Sequence, residues 1–191
     1  SVSMSEAAAK KIDWQVSYFI SGRIRTNTIY AVRPYSVMID TLHPQVAGAS
    51  FSIKFKDDKT FVLSSENNGG TLYDYRINKT YLKNGNPVSV PSIQYEKEHH
   101  LGDTIRTANF SFVVIAGNAL PSTYSKGDLT FRLNTLQNFA ASLNSGLSIE
   151  PTSKTSSVLR ISLKYYQPEI LEDFLNALTQ VYIESGLNAK N

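Results

Sequence analysis

Three histidines and one pair of adjacent aspartates are the residues best suited to metal binding or acid–base chemistry in this sequence. His43 is isolated, whereas His99 and His100 are adjacent. Adjacent residues of a strand point to opposite faces, which is poor geometry for one metal ion. Asp57 and Asp58 fall in a predicted hairpin turn, where aspartate is common because its side chain bonds the turn backbone. These residues therefore predict neither a catalytic carboxylate pair nor a metal site.

The motifs of the common nucleotide- and metal-dependent enzymes are also missing from the sequence. It contains no Gly-rich phosphate loop, no nucleophile elbow, no HExxH zinc motif and no EF-hand calcium loop. The absence of cysteine excludes disulfides, thiolate metal sites and cysteine nucleophiles. Because catalysis needs several convergent groups with tuned pKa values, we predict a non-catalytic chain that uses no cofactor.

Aromatic and basic residues offer weaker candidates for a binding surface. Four tyrosines cluster in the middle of the chain: Tyr73, Tyr75, Tyr81 and Tyr95. Tyrosine rings stack on sugars, but tyrosine is also favoured in strands for packing alone. Arg23 and Arg25 share one face of a predicted strand, which either contacts an anionic glycan or a neighbouring subunit or faces solvent. We take Tyr73, Tyr75, Arg23 and Arg25 as the candidate glycan or subunit contacts.

The composition is that of a folded globular segment. Of the 191 residues, 41% are hydrophobic and 18% are charged, which argues against disorder. The net charge of +3 comes without a dense basic cluster, so we expect no nucleic-acid partner. No apolar stretch approaches 18 residues, so no segment of the sequence is predicted to span a membrane. The chain starts without Met and stops within a predicted helix, and we expect it to be part of a longer protein.

Periodicity predicts helices at both ends and strands between them. A capping box at Ser3 and Glu6 predicts a helix over residues 3–12. Alternating apolar residues predict a hairpin over residues 50–65, and Asn67-Asn68-Gly69-Gly70 predicts a loop. Apolar spacing then predicts a helix from Leu136 and a longer one that begins at Pro168.

The order of these elements suggests an α+β fold. We expect residues 1–30 and 118–191 to form one α+β layer, with the order helix-strand, then β-α-β-β-α. Residues 31–117 would be an inserted all-β block, a small sandwich or an open barrel.

Two segments carry a resemblance to a known family. Residues 12–24, IDWQVSYFISGRI, with Tyr30 and residues 34–37, PYSV, look like a stretch in periplasmic domains of polysaccharide co-polymerases. These proteins are the chain-length determinants of the Wzz type. Residues 158–163, VLRISL, followed by Gln167-Pro168 and a helix with LNAL and VYI, resemble the family's closing strand and helix. Here Gln167 replaces the usual Asp, which weakens the helix N-cap.

The resemblance implies a fold and a function. It implies a Wzz-like layer in a domain on the periplasmic side of the inner membrane, flanked by transmembrane helices and, in some members, by a cytoplasmic tyrosine kinase. Such proteins form homo-oligomers that regulate the chain length of capsular or exopolysaccharide. Their implied partners are the polysaccharide, its polymerase and an outer-membrane export channel. An alternative is a carbohydrate-binding β-rich module of a cell-envelope protein, in which the clustered tyrosines hold glycan.

Overall fold

The chain folds into two compact units in a computed structural model, which describes residues 3–22, 26–124, 127–152, 159–164 and 168–188. Gln15–Thr135 forms a β unit, and Ser1–Trp14 with Leu136–Asn191 forms a helical unit. The fold is mostly β, with 48% strand and 22% helix.

The β unit contains the strands β1 Val16–Ser21, β2 Thr26–Ile29, β3 Tyr35–Ile39, β4 Gln45–Ala47, β5 Ser50–Phe55, β6 Thr60–Asp74, β7 Lys79–Thr80, β8 Leu82–Lys83, β9 Asn86–Pro87, β10 Ser89–His100, β11 Thr104–Arg106, β12 Ser111–Ala116 and β13 Asp128–Leu133, and a short 3-10 helix Pro121–Tyr124. The helical unit contains the helices α1 Met4–Ala9, α2 Leu136–Asn144 and α3 Pro168–Asn188 and the hairpin β14 Leu147–Pro151 with β15 Leu159–Leu163.

An antiparallel sheet of eight strands dominates the β unit. Its strand order is β10-β6-β5-β13-β1-β2, and β4 and β7 also pair with β6. The predicted hairpin of β5 and β6 is confirmed, because Ser52 faces Ser64 across it. Its turn is held by Asp57, whose carboxylate accepts hydrogen bonds from the backbone N–H groups of Lys59 and Thr60 at 2.8 and 2.7 Å.

The prediction of a loop at residues 67–70 is wrong. These residues lie inside β6, a single strand of 15 residues. A Cβ atom on Gly69 would lie 1.9 Å from the carbonyl oxygen of Val90, and one on Gly70 would lie 2.1 Å from that of Ala47. These two glycines therefore let neighbouring strands approach closely instead of making a turn.

A second, three-stranded sheet of order β11-β12-β3 completes the core of the β unit. The core joins residues of both sheets and is rich in aromatic rings. Phe51 of β5 stacks on Phe131 of β13 with centroids 5.1 Å apart, and it meets Phe112 of β12 edge-on at 5.4 Å. Burial of these large rings supplies most of the hydrophobic stabilisation at the centre of the unit.

The helical unit follows its sequence signals closely. Ser3 caps α1, since its hydroxyl accepts a hydrogen bond from the N–H of Glu6 at 3.1 Å. α1 packs against both α2 and α3. Its small residues Ala8 and Ala9 are completely buried, which allows close helix contact.

The predicted fold class is wrong: the chain is mostly β and does not form an α+β, Wzz-like layer of helices and strands. The physical reason is the pairing of β1 with β13 and of β13 with β5, which draws both flanking strands into the large sheet. The predicted domains put residues 1–30 and 118–191 together and residues 31–117 apart. In the structure, the two compact units divide after Trp14 and after Thr135.

Candidate functional site

The four predicted contact residues have different positions. Arg23 and Arg25 lie outside the described residues, so their role stays a prediction. Tyr73 and Tyr75 are only 0% and 4% exposed, and their rings meet edge-on with centroids 5.0 Å apart. Burial raises the pKa of Tyr75 above its ordinary value. In this arrangement neither tyrosine ring presents an open face on which a sugar can stack.

The three histidines lie in separate surroundings. The Nδ1 atom of His43 lies 2.6 Å from the carbonyl oxygen of Pro44, and that of His100 lies 3.7 Å from a carboxylate oxygen of Asp103. The Nε2 atom of His99 lies 2.8 Å from the hydroxyl of Tyr95. Across the described part of the chain, no group of three or more His, Asp or Glu side chains is placed to hold a metal ion.

His99 packs among aromatic rings at one edge of the β unit. Its ring is parallel to that of Tyr95, with an interplanar angle of 3°, and lies 6.0 Å from the ring of Phe61. Partial desolvation lowers the pKa of His99 below its ordinary value. The neutral ring is therefore the favoured form in the folded protein.

Asp57 and Asp58 do not form a buried carboxylate pair. Both are exposed, and hydrogen bonds from the backbone of Lys59 and Thr60 lower the pKa of Asp57. This is the turn role that the sequence predicted for Asp57, and it does not give the raised pKa that a general acid needs.

A buried polar network that we did not predict links the two sheets of the β unit. The side-chain amide of Gln45 donates to the carbonyl oxygens of Asp40 and Ser111 at 2.8 and 2.7 Å, and its oxygen accepts from the N–H of Ser111 at 3.1 Å. Gln45 and Ser111 are completely buried. A buried glutamine side chain with three hydrogen bonds fixes the position of β4 relative to β3 and β12. In the sequence, the only sign of this network is one polar residue before the apolar pair Val46-Ala47.

A cleft of about 700 Å³, lined by both polar and apolar atoms, lies over the outward-facing side of β5 and β13. Its hydroxyl groups come from Ser21, Ser52, Ser64, Ser122 and Thr130, and its charged groups from Lys54, Lys56, Asp57, Asp58 and Asp128. Ile53, Phe55 and Leu129 also line the cleft, but the side chains of Ile53 and Leu129 belong to the core and that of Phe55 packs against it. Two of the charged groups are already engaged, since Lys56 forms an ion pair with Glu98 and Asp57 holds the turn. The sequence did not predict this cleft, because the cleft is formed by residues of strands that are far apart in the chain.

A second cavity, of about 610 Å³, lies in the helical unit between α2 and the β14–β15 hairpin. Serines line most of it, with Lys164 as its one charged residue among those described. It offers few groups that could recognise a ligand.

The first and last described helices meet in the helical unit. α1 packs on α3, and the Nζ atom of Lys11 lies 3.2 Å from a carboxylate oxygen of Glu184.

None of the helices in the described ranges is both long and apolar enough for a membrane crossing. No protein-family model matches this chain, and no curated protein matches it either.

Proposed function

We propose that this chain is the periplasmic scaffold domain of a polysaccharide co-polymerase. In this proposal the parent protein is anchored in the inner membrane and regulates the chain length and export of capsular or exopolysaccharide. The domain is non-catalytic and works as part of a homo-oligomer, together with the polysaccharide, its polymerase and an outer-membrane export channel. The resemblance of residues 12–24 and of residues 158–183 to the family motifs is the basis of the proposal.

The observation that carries the proposal is the packing of α1 against α3. Two membrane segments on either side of a domain are joined to it most simply when the flanking elements lie close together. The first motif follows α1 directly, and the second motif includes α3. The contact between α1 and α3 therefore lies next to both motifs. Ala8 and Ala9 support this contact because their complete burial brings the helices close together.

The alternative of a carbohydrate-binding module is less well supported. Its candidate residues were the clustered tyrosines, and Tyr73 and Tyr75 are buried. Tyr95 packs edge-on against Phe110 with centroids 5.4 Å apart, and only Tyr81 of the four is exposed, at 37%. Three of the four rings therefore pack within the β unit, and the tyrosines do not form a shared aromatic platform for sugars.

The test is to delete the parent gene and to compare the surface polysaccharide with that of the wild type on a gel. We expect an altered or collapsed length distribution, and we expect the intact gene to restore it. An unchanged distribution of lengths after deletion would overturn the proposal.

Two variants of the full-length protein test the non-catalytic part of the proposal. Asp57→Asn keeps an oxygen acceptor in the turn, and His99→Gln keeps a polar partner for Tyr95. We expect both variants to restore the wild-type length distribution in the deletion strain. Loss of length control in His99→Gln, with normal protein level and normal folding, would contradict the non-catalytic role, whereas loss in Asp57→Asn alone would point to the cleft that Asp57 lines.

A further inference from the structure

A cross-strand row of small hydroxyl side chains forms the floor of the cleft in the β unit. Thr130 of β13 faces Ser52 of β5, and Ser52 faces Ser64 of β6. Neighbouring strands are separated by roughly 4.8 Å, so the row extends for roughly 10 Å across the sheet. Successive side chains of a strand alternate between its two faces. Lys54, two residues after Ser52, and Asp128, two residues before Thr130, therefore lie on the same face as the hydroxyl row.

The donor and acceptor groups of the cleft suit a ligand with many hydroxyl groups. Serine and threonine hydroxyls both donate and accept, the Lys54 ammonium only donates, and the Asp58 and Asp128 carboxylates only accept. A sugar hydroxyl does both, so it can use every one of these groups.

The charges of the cleft disfavour a polyanion. Three carboxylates, on Asp57, Asp58 and Asp128, stand against two ammonium groups, on Lys54 and Lys56. Lys56 forms an exposed ion pair with Glu98, whose carboxylate adds a further negative charge beside the cleft. The charged groups at the cleft therefore carry more negative than positive charge, which favours an uncharged ligand over a polyanion.

The shape of the cleft sets the size of the ligand. Its volume of about 700 Å³ falls within the range of about 300 to 1,000 Å³ that is usual for small-molecule sites. Pro121 and Ser122 of the short 3-10 helix form one wall, and the turn with Asp58 lines the cleft as well. A cleft of this volume can hold a short segment of a polymer, with the rest of the polymer lying outside it.

We propose that this cleft binds a short, uncharged segment of the polysaccharide. The row Thr130–Ser52–Ser64 lies under the sugar units, Lys54 donates to their ring or hydroxyl oxygens, and Asp128 accepts from their hydroxyl groups. This inference rests on the proposed function, since it names the site at which the polymer contacts the scaffold.

The test is a titration of the full 191-residue chain, labelled with ¹⁵N, with uncharged oligosaccharides released from the parent organism's surface polysaccharide. We expect amide shifts for residues near the cleft, at positions 52–58 and 128–130. We expect the double variant Lys54→Ala/Asp128→Ala to bind at least tenfold more weakly. Lys83→Ala, an exposed lysine on β8 of the same unit, is the matched control and should bind like the wild type.

A second variant guards against a change in folding. Ser52→Tyr keeps a residue with high strand preference but fills the centre of the cleft, so it should abolish the shifts while the spectrum stays dispersed. The inference is overturned if no shifts occur, if both variants bind like the wild type, or if acidic oligosaccharides alone bind and do so less at higher salt.

The gene deletion separates this inference from the proposed function. Polysaccharide length that depends on the gene, together with no oligosaccharide binding, would leave the scaffold function standing and remove the cleft. Binding at the cleft, together with an unchanged length distribution, would retain the cleft as a glycan site and remove the length-regulating function.

Discussion

The hydroxyl of Tyr75 donates a hydrogen bond of 2.5 Å to the backbone carbonyl of Asn134, and both residues are buried in the β unit. Tyr75 follows the end of β6, and Asn134 follows the end of β13. The N–H of Asn134 in turn donates to the carbonyl of Gln15 at 2.9 Å. The tyrosine that the sequence suggested as a glycan contact therefore fixes the end of the β unit.

Removing this hydroxyl should destabilise the fold without affecting a ligand. We expect Tyr75→Phe to lower the free energy of unfolding by about 1–3 kcal/mol, because a buried carbonyl loses one of its partners. Urea unfolding followed by fluorescence measures this change. Tyr81→Phe is the control, with an expected change under about 0.5 kcal/mol, because Tyr81 is more exposed and its contact with Asp74 is long, at 3.5 Å. Equal stability of Tyr75→Phe and the wild type would contradict this role.

The stack of Phe51 on Phe131 should be the most sensitive point of the core. Phe51 is fully buried and also contacts Phe110 and Phe112 edge-on. We expect Phe51→Ala to cost about 3–5 kcal/mol, because it leaves a cavity between the two sheets. The neighbouring change Ser52→Ala, on the exposed face of the same strand, should cost under about 0.5 kcal/mol. Similar unfolding midpoints for the two variants would show that the two sheets do not pack through Phe51.

Gly70 should not tolerate a side chain. A Cβ atom there would lie 2.1 Å from the carbonyl oxygen of Ala47, so the backbone of β4 or β6 must shift. We expect Gly70→Ala to cost about 3 kcal/mol or more, at the upper end of the cost of overpacking. Gly102 is the matched control: it has a φ of +92° but no atom within 4 Å of the added Cβ. Gly102→Ala should cost about 1–2 kcal/mol through the left-handed backbone alone. Thermal unfolding that ranks Gly102→Ala as the more damaging change would refute the close strand approach.

His99 should make the stability of the protein depend on pH. Partial desolvation is the main cause that lowers the pKa of His99 in the folded state. The negative charge of Asp103 raises this pKa, and the positive charge of Lys97 lowers it. The unfolded state therefore binds more protons, and stability falls as the pH decreases below the unfolded value of about 6.5. We expect His99→Gln to lose less stability than the wild type between pH 7 and pH 5, as measured by urea unfolding at each pH. Parallel pH profiles for the two proteins would show that His99 makes no such contribution.

Local sequence signals predicted several helices and turns correctly. The topology of the sheets depends on strand pairing between residues that are far apart in the sequence. The cap at Ser3, the apolar spacing of α2 and the turn at Asp57 each depend on residues within a few positions, so the sequence contains them directly. The pairing of Val16 with Leu133 joins residues more than a hundred positions apart, and no periodicity predicts it.

The errors have the same physical origin. Gly69 and Gly70 resemble a turn, but a close approach of neighbouring strands demands glycine as well. Tyr73 and Tyr75 resemble a binding platform because a tyrosine that packs and a tyrosine that binds look alike in sequence. The cleft escaped prediction because its hydroxyl groups converge only when β5, β6 and β13 lie side by side.

The bond between Asn134 and Gln15 holds the entry and the exit of the β unit together. The β unit enters at Gln15 and leaves at Thr135, and its first and last strands, β1 and β13, are neighbours in one sheet. A unit whose entry and exit lie together can be gained, lost or exchanged by a single insertion or deletion of DNA, because the flanking helical segments need only a short linker to rejoin. The β unit therefore has the topology of an insert, since its two chain connections lie beside each other.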